Sequence, residues 1–254
     1  MMKKTLLAAA TASALVVSGG ALAAFADAPK GEGAGASAQL KITGTLTNTN
    51  PNWMWQIPAD AQAAVKDVTL KKITGVVNGA NTEFSITTTP MSILEGYMKT
   101  PAPTGGAGLT PVINVGGTDM MKDCSAQAGC SIALSAKTGG KDVGVLTLDA
   151  ITSWAYAHHL LWNVEVLSEF NENNTTEALA VLKKQADFDG SYPDPKRGGA
   201  VPADRLEKDL QDPRLYEIVS QSRVVTVRSA KLRVPTEAVP ATWAATLPIT
   251  ISLK

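Results

Sequence analysis

The chain has 254 residues, 44% of them hydrophobic and only 5% aromatic, with 23 basic residues balanced by 23 acidic ones. That length suits one sizeable domain, or one domain carrying a large insertion. The balanced charge, with no basic stripe, argues against nucleic acid as a partner, and no stretch is apolar for long enough to span a bilayer.

Residues 1–26 read as a cleavable export signal. Lys3 and Lys4 give a positive start, Leu6 to Val17 a short apolar stretch, and Ala24-Phe25-Ala26 a small-x-small cleavage site, with Ala21-Leu22-Ala23 as the alternative. Cleavage removes two lysines and no acid, leaving a net charge of about −2.

Residues 27–47 then form an arm. The even positions Ala34, Ala36, Ala38, Leu40, Ile42, Gly44 and Leu46 are small or apolar, and the odd positions from Gly35 to Thr47 are glycine, polar or charged. Period two predicts a strand with one face for a sheet partner and one for water. Leu247, Ile249, Ile251 and Leu253 alternate in the same way at the other end of the chain.

Between these ends, residues 48–254 read as a domain of strands and turns. Pro51 to Pro58 predicts a short strand with Trp53, Trp55 and Ile57 on one face, as core rather than as a sugar-stacking platform. Val68 to Ile73 and Thr82 to Thr88 read as strands around the turn Asn78-Gly79-Ala80-Asn81. The punctuated run from Thr100 to Gly117 reads as an irregular loop. Cys124 and Cys130 are an even, close pair that predicts a local disulfide in an oxidising compartment. Ser131 to Ser135 and Val143 to Ala157 make a hairpin, with Leu146, Leu148, Ala150 and Trp154 in phase.

The character changes over about residues 158–222, which predict an inserted, part-helical lobe. Asn174 reads as a helix cap with Glu177 three residues on, Pro202 opens a second helix through Leu206 and Leu210, and Leu215, Ile218 and Val219 suggest a third. Val224 to Val234 returns to strand, with its alternation shifting near Arg228 as at a bulge.

Catalytic and metal motifs are sparse. His158 and His159 are adjacent, so their side chains diverge on either a strand or a helix, and they read as ordinary surface or interface histidines. Asp187-Phe188-Asp189-Gly190 with Asp194 lacks the third acid and the terminal glutamate of a calcium loop. The N-x-Thr pairs at Asn173 and Asn174 read as helix-capping sequence rather than glycan acceptors. G-x-S-x-G, H-E-x-x-H, S-x-x-K and phosphate-loop patterns are absent, and the expectation is no enzyme, no cofactor and no metal.

Leu40-Lys41-Ile42-Thr43-Gly44-Thr45-Leu46, Trp53-Met54-Trp55, the Gly/Pro loop from Pro103 to Pro111, Gly144-Val145-Leu146-Thr147-Leu148 and the run from Trp243 to Leu253 occur in that order. The set resembles a chaperone–usher fimbrial subunit, in particular the major subunit–adhesin family of enterotoxigenic enterobacterial fimbriae (the kappa clade). The resemblance implies a mainly β, incomplete immunoglobulin-like sandwich, completed by a donor strand from another subunit and carrying an inserted lobe. It implies Ala38, Leu40, Ile42, Gly44 and Leu46 as the donor strand, and Leu247, Ile249, Ile251 and Leu253 as the strand that lines the groove and pairs with a chaperone. Implied partners are a periplasmic chaperone, an outer-membrane usher and other subunits, on a route through the periplasm to a surface fimbria. A further expectation is adhesion to host carbohydrate through the lobe, for which Trp162, Tyr192 and Arg197 have suitable chemistry. Two features depart from that family: Leu253 stands where an aromatic is usual, and the cysteine pair is extra. The alternatives are a secreted carbohydrate-active enzyme and a monomeric periplasmic binding module, neither of which needs an unpaired N-terminal strand.

Overall fold

Alternating and continuous apolar runs become strands along most of the chain. The computed structural model describes residues 36–40, 46–47, 53–66, 68–102, 104–106, 108–124, 128–160, 163–168, 172–185, 208, 210–212 and 218–254. For 36–40, 46–47, 159–160, 163–168, 172–175 and 218–219 the description is of the backbone. The elements are β1 (Ala36–Leu40), β2 (Leu46–Thr47), β3 (Trp53–Gln56), helix α1 (Ala59–Val65), β4 (Val76–Asn78), β5 (Asn81–Thr87), β6 (Met91–Met98) and β7 (Pro111–Val115). There follow β8 (Thr118–Asp119), the short helix α2 (Met120–Asp123), β9 (Cys130–Thr138), β10 (Lys141–Leu160), β11 (Asn163–Ser168), helix α3 (Glu172–Leu182), β12 (Ile218–Pro235) and β13 (Leu247–Leu253).

Two antiparallel sheets result, and the fold is mainly β. One has the order β2-β1-β13-β7-β8. In the other, the long strands β10 and β12 pair along most of their length; β9 and β11 share the far edge of β10, and β5 and β6 share the far edge of β12. Strand β4 extends the sheet beyond β5, and β3 pairs with β6. The β9–β10 hairpin turns at Gly139 and Gly140, both with positive φ (55° and 84°), which suits a tight turn matched to the strand twist.

The main core lies between the sheets. Leu247, Ile249 and Ile251 of β13, with Ile113 and Val115 of β7, pack in one cluster with Trp53, Trp55, Ile93, Leu148, Trp154, Tyr156, Val225 and Val227. Trp53 and Trp55 stack with centroids 5.1 Å apart, and the Arg223 guanidinium lies 5.7 Å above the Trp53 ring. Arg223 is fully buried, donating through Nη1 to the Ser222 carbonyl at 2.7 Å and through Nη2 to Gln221 Oε1 at 3.3 Å. Met54 is buried as well, so β3 is covered on both faces rather than the one its alternation suggested.

On the outer face, α3 sets Ala178, Val181 and Leu182 against Ala155, Ala157 and Val224. Hydrogen bonds fix the helix in place. Glu177 Oε2 accepts from Ser92 Oγ and Thr226 Oγ1, each at 2.9 Å, and Ser222 Oγ donates to the Ala178 carbonyl at 2.6 Å. The small residues at 155 and 157 admit the helix while Trp154 and Tyr156 fill the sandwich on the opposite face.

The expected bulge is at Arg228. Asp149 pairs with Ser229 and Ala150 with Val227, so Arg228 is the extra residue, and its Nη2 donates to Asp149 Oδ1 at 2.7 Å. The inward positions of β12 are therefore odd before the bulge (Val225, Val227) and even after it (Ala230).

Five local expectations differ from the structure. No strand forms over Val68 to Ile73; a 3-10 turn spans Lys72–Thr74, with Thr74 Oγ1 donating to the Lys71 carbonyl at 2.7 Å, a local bond that competes with extended structure. The loop from Thr100 to Gly117 contains β7, whose Pro111, Ile113 and Val115 alternate inward. Helix α3 begins at Glu172, which puts Asn174 inside it, and Ile218 and Val219 open β12 instead of continuing a helix. His158 is buried and stacks on Tyr156 at 5.2 Å, so it is not a surface residue. The segment expected as a lobe leaves β10 beyond Leu160 and returns at Ile218, contributing β11 and α3 on the way.

Cys124 and Cys130 form the disulfide, with Cα atoms 4.8 Å apart, tying the end of α2 to the first residue of β9. A loop this short restricts the unfolded chain only modestly. Replacing both cysteines by serine is expected to cost about 2 kcal/mol, read as a lower urea midpoint with unchanged slope.

Candidate functional site

The site is built along β13. Its residues Leu247, Ile249 and Ile251 are buried, Pro248, Thr250 and Ser252 are exposed, and Leu253 is half-buried. One edge of β13 pairs with β7, from Ile249↔Val115 to Leu253↔Pro111. The other edge pairs with the chain's own arm, antiparallel, from Ala36↔Ile251 through Ala38↔Ile249 to Leu40↔Leu247. Opposed residues of an antiparallel pair share a face, so this register places the even arm positions on the side of the buried β13 residues. Thr47 and Leu46, in β2, turn back to pair with Ser37 and Ala38.

The hydrogen-bond phase of this strand is set on its β7 side. The Pro248 carbonyl accepts from Gly116 N at 2.8 Å, and Ala244 exchanges backbone bonds with Lys137 at 2.8 and 2.9 Å. Even residues of β13 therefore direct their backbone groups toward β7, and its odd residues direct theirs toward the arm side. Proline at 248 is tolerated because an even position there offers a carbonyl to a turn and needs no N–H.

The described pairing of the arm with β13 ends at Leu40↔Leu247, and apolar surface continues past Leu247. An apolar cleft of about 320 Å³ is lined by Ile86, Met91, Leu146, Trp243, Ala245 and Leu247 among others. A second cleft of about 310 Å³ follows, lined by Leu70, Lys72, Phe84, Val239, Ala241 and Trp243. The two share Val68 and Trp243, so they are successive stretches of one groove divided by the indole.

The structure brings Leu247, Ile249, Ile251 and Leu253 together with Ala38 and Leu40 of the arm, the latter two by backbone register. Leu46 lies in β2, against Ala38. Ile42 and Gly44 lie outside the described residues, as do Trp162, Tyr192, Arg197 and the acidic run Asp187 to Asp194. The second wall, β7, and the cleft residues Trp243, Ala245, Ile86 and Met91 are not evident from the sequence pattern. Pro111, Ile113 and Val115 did carry a period-two signal inside the loop-like run.

Elsewhere, a polar cleft of about 480 Å³ separates α1 from α3, lined by Asp60, Ser92, Glu95, Glu177 and Lys184. Two of its acids are engaged by the fold: Glu95 Oε2 accepts from Gln56 Nε2 at 2.7 Å and from Lys184 Nζ at 2.9 Å, and Glu177 holds the two hydroxyls described above. Among the described residues no group of three or more histidine, cysteine or acidic side chains is placed to hold a metal ion, and no helix is long and apolar enough to cross a membrane.

No curated protein matches the chain. The K88 fimbrial family, described as fimbrial, major and minor subunit, matches residues 2–179, a span that starts ahead of the arm and runs through β1, β3, β7 and β10 into α3. With two antiparallel sheets, an N-terminal arm paired to the last strand and a match over most of its length, the chain belongs to the family of fimbrial major and minor subunits.

Proposed function

We propose that the chain is a structural subunit that polymerises by donor-strand exchange: the arm of one copy replaces the strand that β1 supplies to β13 in the next. The observation that carries this is the groove itself. Continuing the register Leu40↔Leu247 along an extended arm sets Ile42 opposite Ala245, Gly44 opposite Trp243 and Leu46 opposite Ala241. The larger arm residues then meet the two clefts, and the one residue without a side chain meets the indole that divides them. Burying Leu40, Ile42 and Leu46 contributes on the order of 1.5–3 kcal/mol each. In cis, β2 folds back to pair with β1 at Ala38↔Leu46, whereas an arm extended in trans would set Leu46 opposite Ala241.

An open groove beside an unpaired strand edge is an aggregation hazard. Together with the export signal, it supports a route in which a periplasmic chaperone lends a strand first and an outer-membrane usher assembles the fibre. This is strand addition between chains, with backbone bonds for affinity and alternate pockets for specificity.

Cysteine trapping tests the exchange. Ser37 and Thr250 are register partners at a pair without mutual hydrogen bonds, where Cα atoms lie about 4.5 Å apart, within disulfide reach. When chains carrying only Ser37→Cys are assembled with chains carrying only Thr250→Cys, the expected product is a disulfide between two copies. Fibres that assemble normally without that bond would show that the arm does not enter a neighbour's groove.

A further inference from the structure

Three apolar side chains stand in water at the end of the groove where an extended arm would leave. Ile73 is 91% exposed, Val76 68% and Val77 64%, and these are the exposed large hydrophobic residues of the described chain. They fall within five residues. Val76 and Val77 are consecutive, so both faces of the edge strand β4 are uncovered. Lys72, adjacent to Ile73, lines the second cleft together with Phe84, and β5, which carries Phe84, pairs with β4 from Val76↔Glu83 to Asn78↔Asn81. The patch is thus continuous with the mouth of the groove. A soluble domain rarely leaves such a cluster bare without a partner for it.

The length of the arm says what arrives there. With Leu46 opposite Ala241 in the second cleft, only residues 48–52 separate Thr47 from Trp53, which is fully buried in the body of its own domain. Six backbone steps reach at most about 20 Å. A donor copy whose arm fills both clefts therefore holds its β3 end within that distance of the groove's mouth. Its folded body has no room to stand off from the acceptor.

We propose that Ile73, Val76 and Val77 form a second subunit–subunit interface, covered by the body of the copy that donates its arm. The inference rests on the donor-strand reading and adds to it a contact between folded domains. Strand insertion alone would leave neighbouring domains joined by a short tether. Docking on the patch orients the incoming domain and raises the affinity of a whole copy above that of its arm alone.

The test separates the arm from the body. Full-length Thr250→Cys chains are prepared with and without Ile73→Glu and Val76→Glu, and in a second version with Ile73→Lys and Val76→Lys, so that an effect of charge sign is visible. Each is offered either a peptide of residues 33–48 carrying Ser37→Cys or the full-length Ser37→Cys chain. Because the substituted side chains are solvent-facing, the melting temperature should not move. The expected result is peptide coupling unchanged within about twofold, with full-length coupling and fibre assembly requiring at least about tenfold more protein in both versions. Unchanged full-length assembly overturns the proposal. So does a defect confined to recovery with a co-expressed chaperone, which would assign the patch to that partner. If the peptide fails to couple even to a Thr250→Cys chain with an unaltered patch that lacks residues 27–47, and so has no arm of its own on β13, the donor-strand reading itself falls, and this interface with it.

Discussion

Deleting residues 27–47 is expected to abolish fibre formation and to lower the melting temperature of the monomer by roughly 10 °C. Two separate losses are involved. The chain no longer has a strand to give, and β13 no longer has a partner on its arm side. The cis pairing engages Leu247, Ile249 and Ile251 with Leu40, Ala38 and Ala36, and those three β13 residues direct their backbone groups toward the arm. About six ladder bonds are exchanged for bonds to water at a net cost near 0.5 kcal/mol each, or about 3 kcal/mol in all. For a domain of this size that corresponds to several degrees up to about 12 °C.

The same deletion should be correctable in one respect only. A peptide of residues 33–48 added in trans restores the melting temperature, because it refills the edge of β13. It does not restore fibres, because a filled groove on a chain without an arm ends the series. Ile42→Asp in that peptide should remove most of the stabilisation, since a carboxylate opposite Ala245 would enter a cleft lined by Ile86, Met91, Leu146 and Leu247. Calorimetry with each peptide reads the first effect, and electron microscopy of assembled material the second. Fibres of normal length from the deleted chain would refute the role of the arm.

The sequence makes the two ends of this site legible and hides its walls. Leu247 to Leu253 alternates without interruption, and burial follows the alternation residue by residue. The bulge at Arg228 is legible for the same reason, because a change of parity in an otherwise regular strand has few other causes. β7 is obscured by its setting: Pro111 to Val115 alternates, but the surrounding glycines and prolines outweigh five residues of pattern. Val68 to Ile73 is the reverse case: its Val, Thr, Leu and Ile suggest a strand, but the segment leads into a 3-10 turn with a side-chain-to-backbone bond at Thr74 and contributes Leu70 to a small cluster near Trp243 instead. The division of the groove by Trp243 could not be read at all. It depends on long-range packing that gathers residues of β5, β6, β9 and β10 with Trp243 around one cleft, and period-two patterning carries no information about such partners.

Gly96→Val should be a severely damaging single substitution, with an expected loss of about 4 kcal/mol or more. Gly96 sits in the middle of β6, directly opposite Trp55 of β3. A Cβ built there falls onto the six-membered ring of Trp55, near Cδ2, Cε3 and Cζ3, so the indole occupies the space a side chain would need. Trp55 has nowhere to retreat. It is 1% exposed and stacks on Trp53, which in turn lies beneath the buried Arg223. Valine therefore drives an indole out of the core and leaves part of its volume unfilled, combining overpacking at one point with a cavity beside it. Glycine inside a strand is otherwise unfavourable, and its presence here follows from the aromatic neighbour that covers it. Because the loss runs through one contact, it should be strongly non-additive. In a Trp55→Ala background, Gly96→Val should cost at least about 2 kcal/mol less than in the parent chain, the coupling expected of residues in direct contact. Denaturant unfolding of the four chains measures that coupling. Additive costs would mean that the indole does not lie on Gly96, and that the packing of the first strand after the arm is different from the one described.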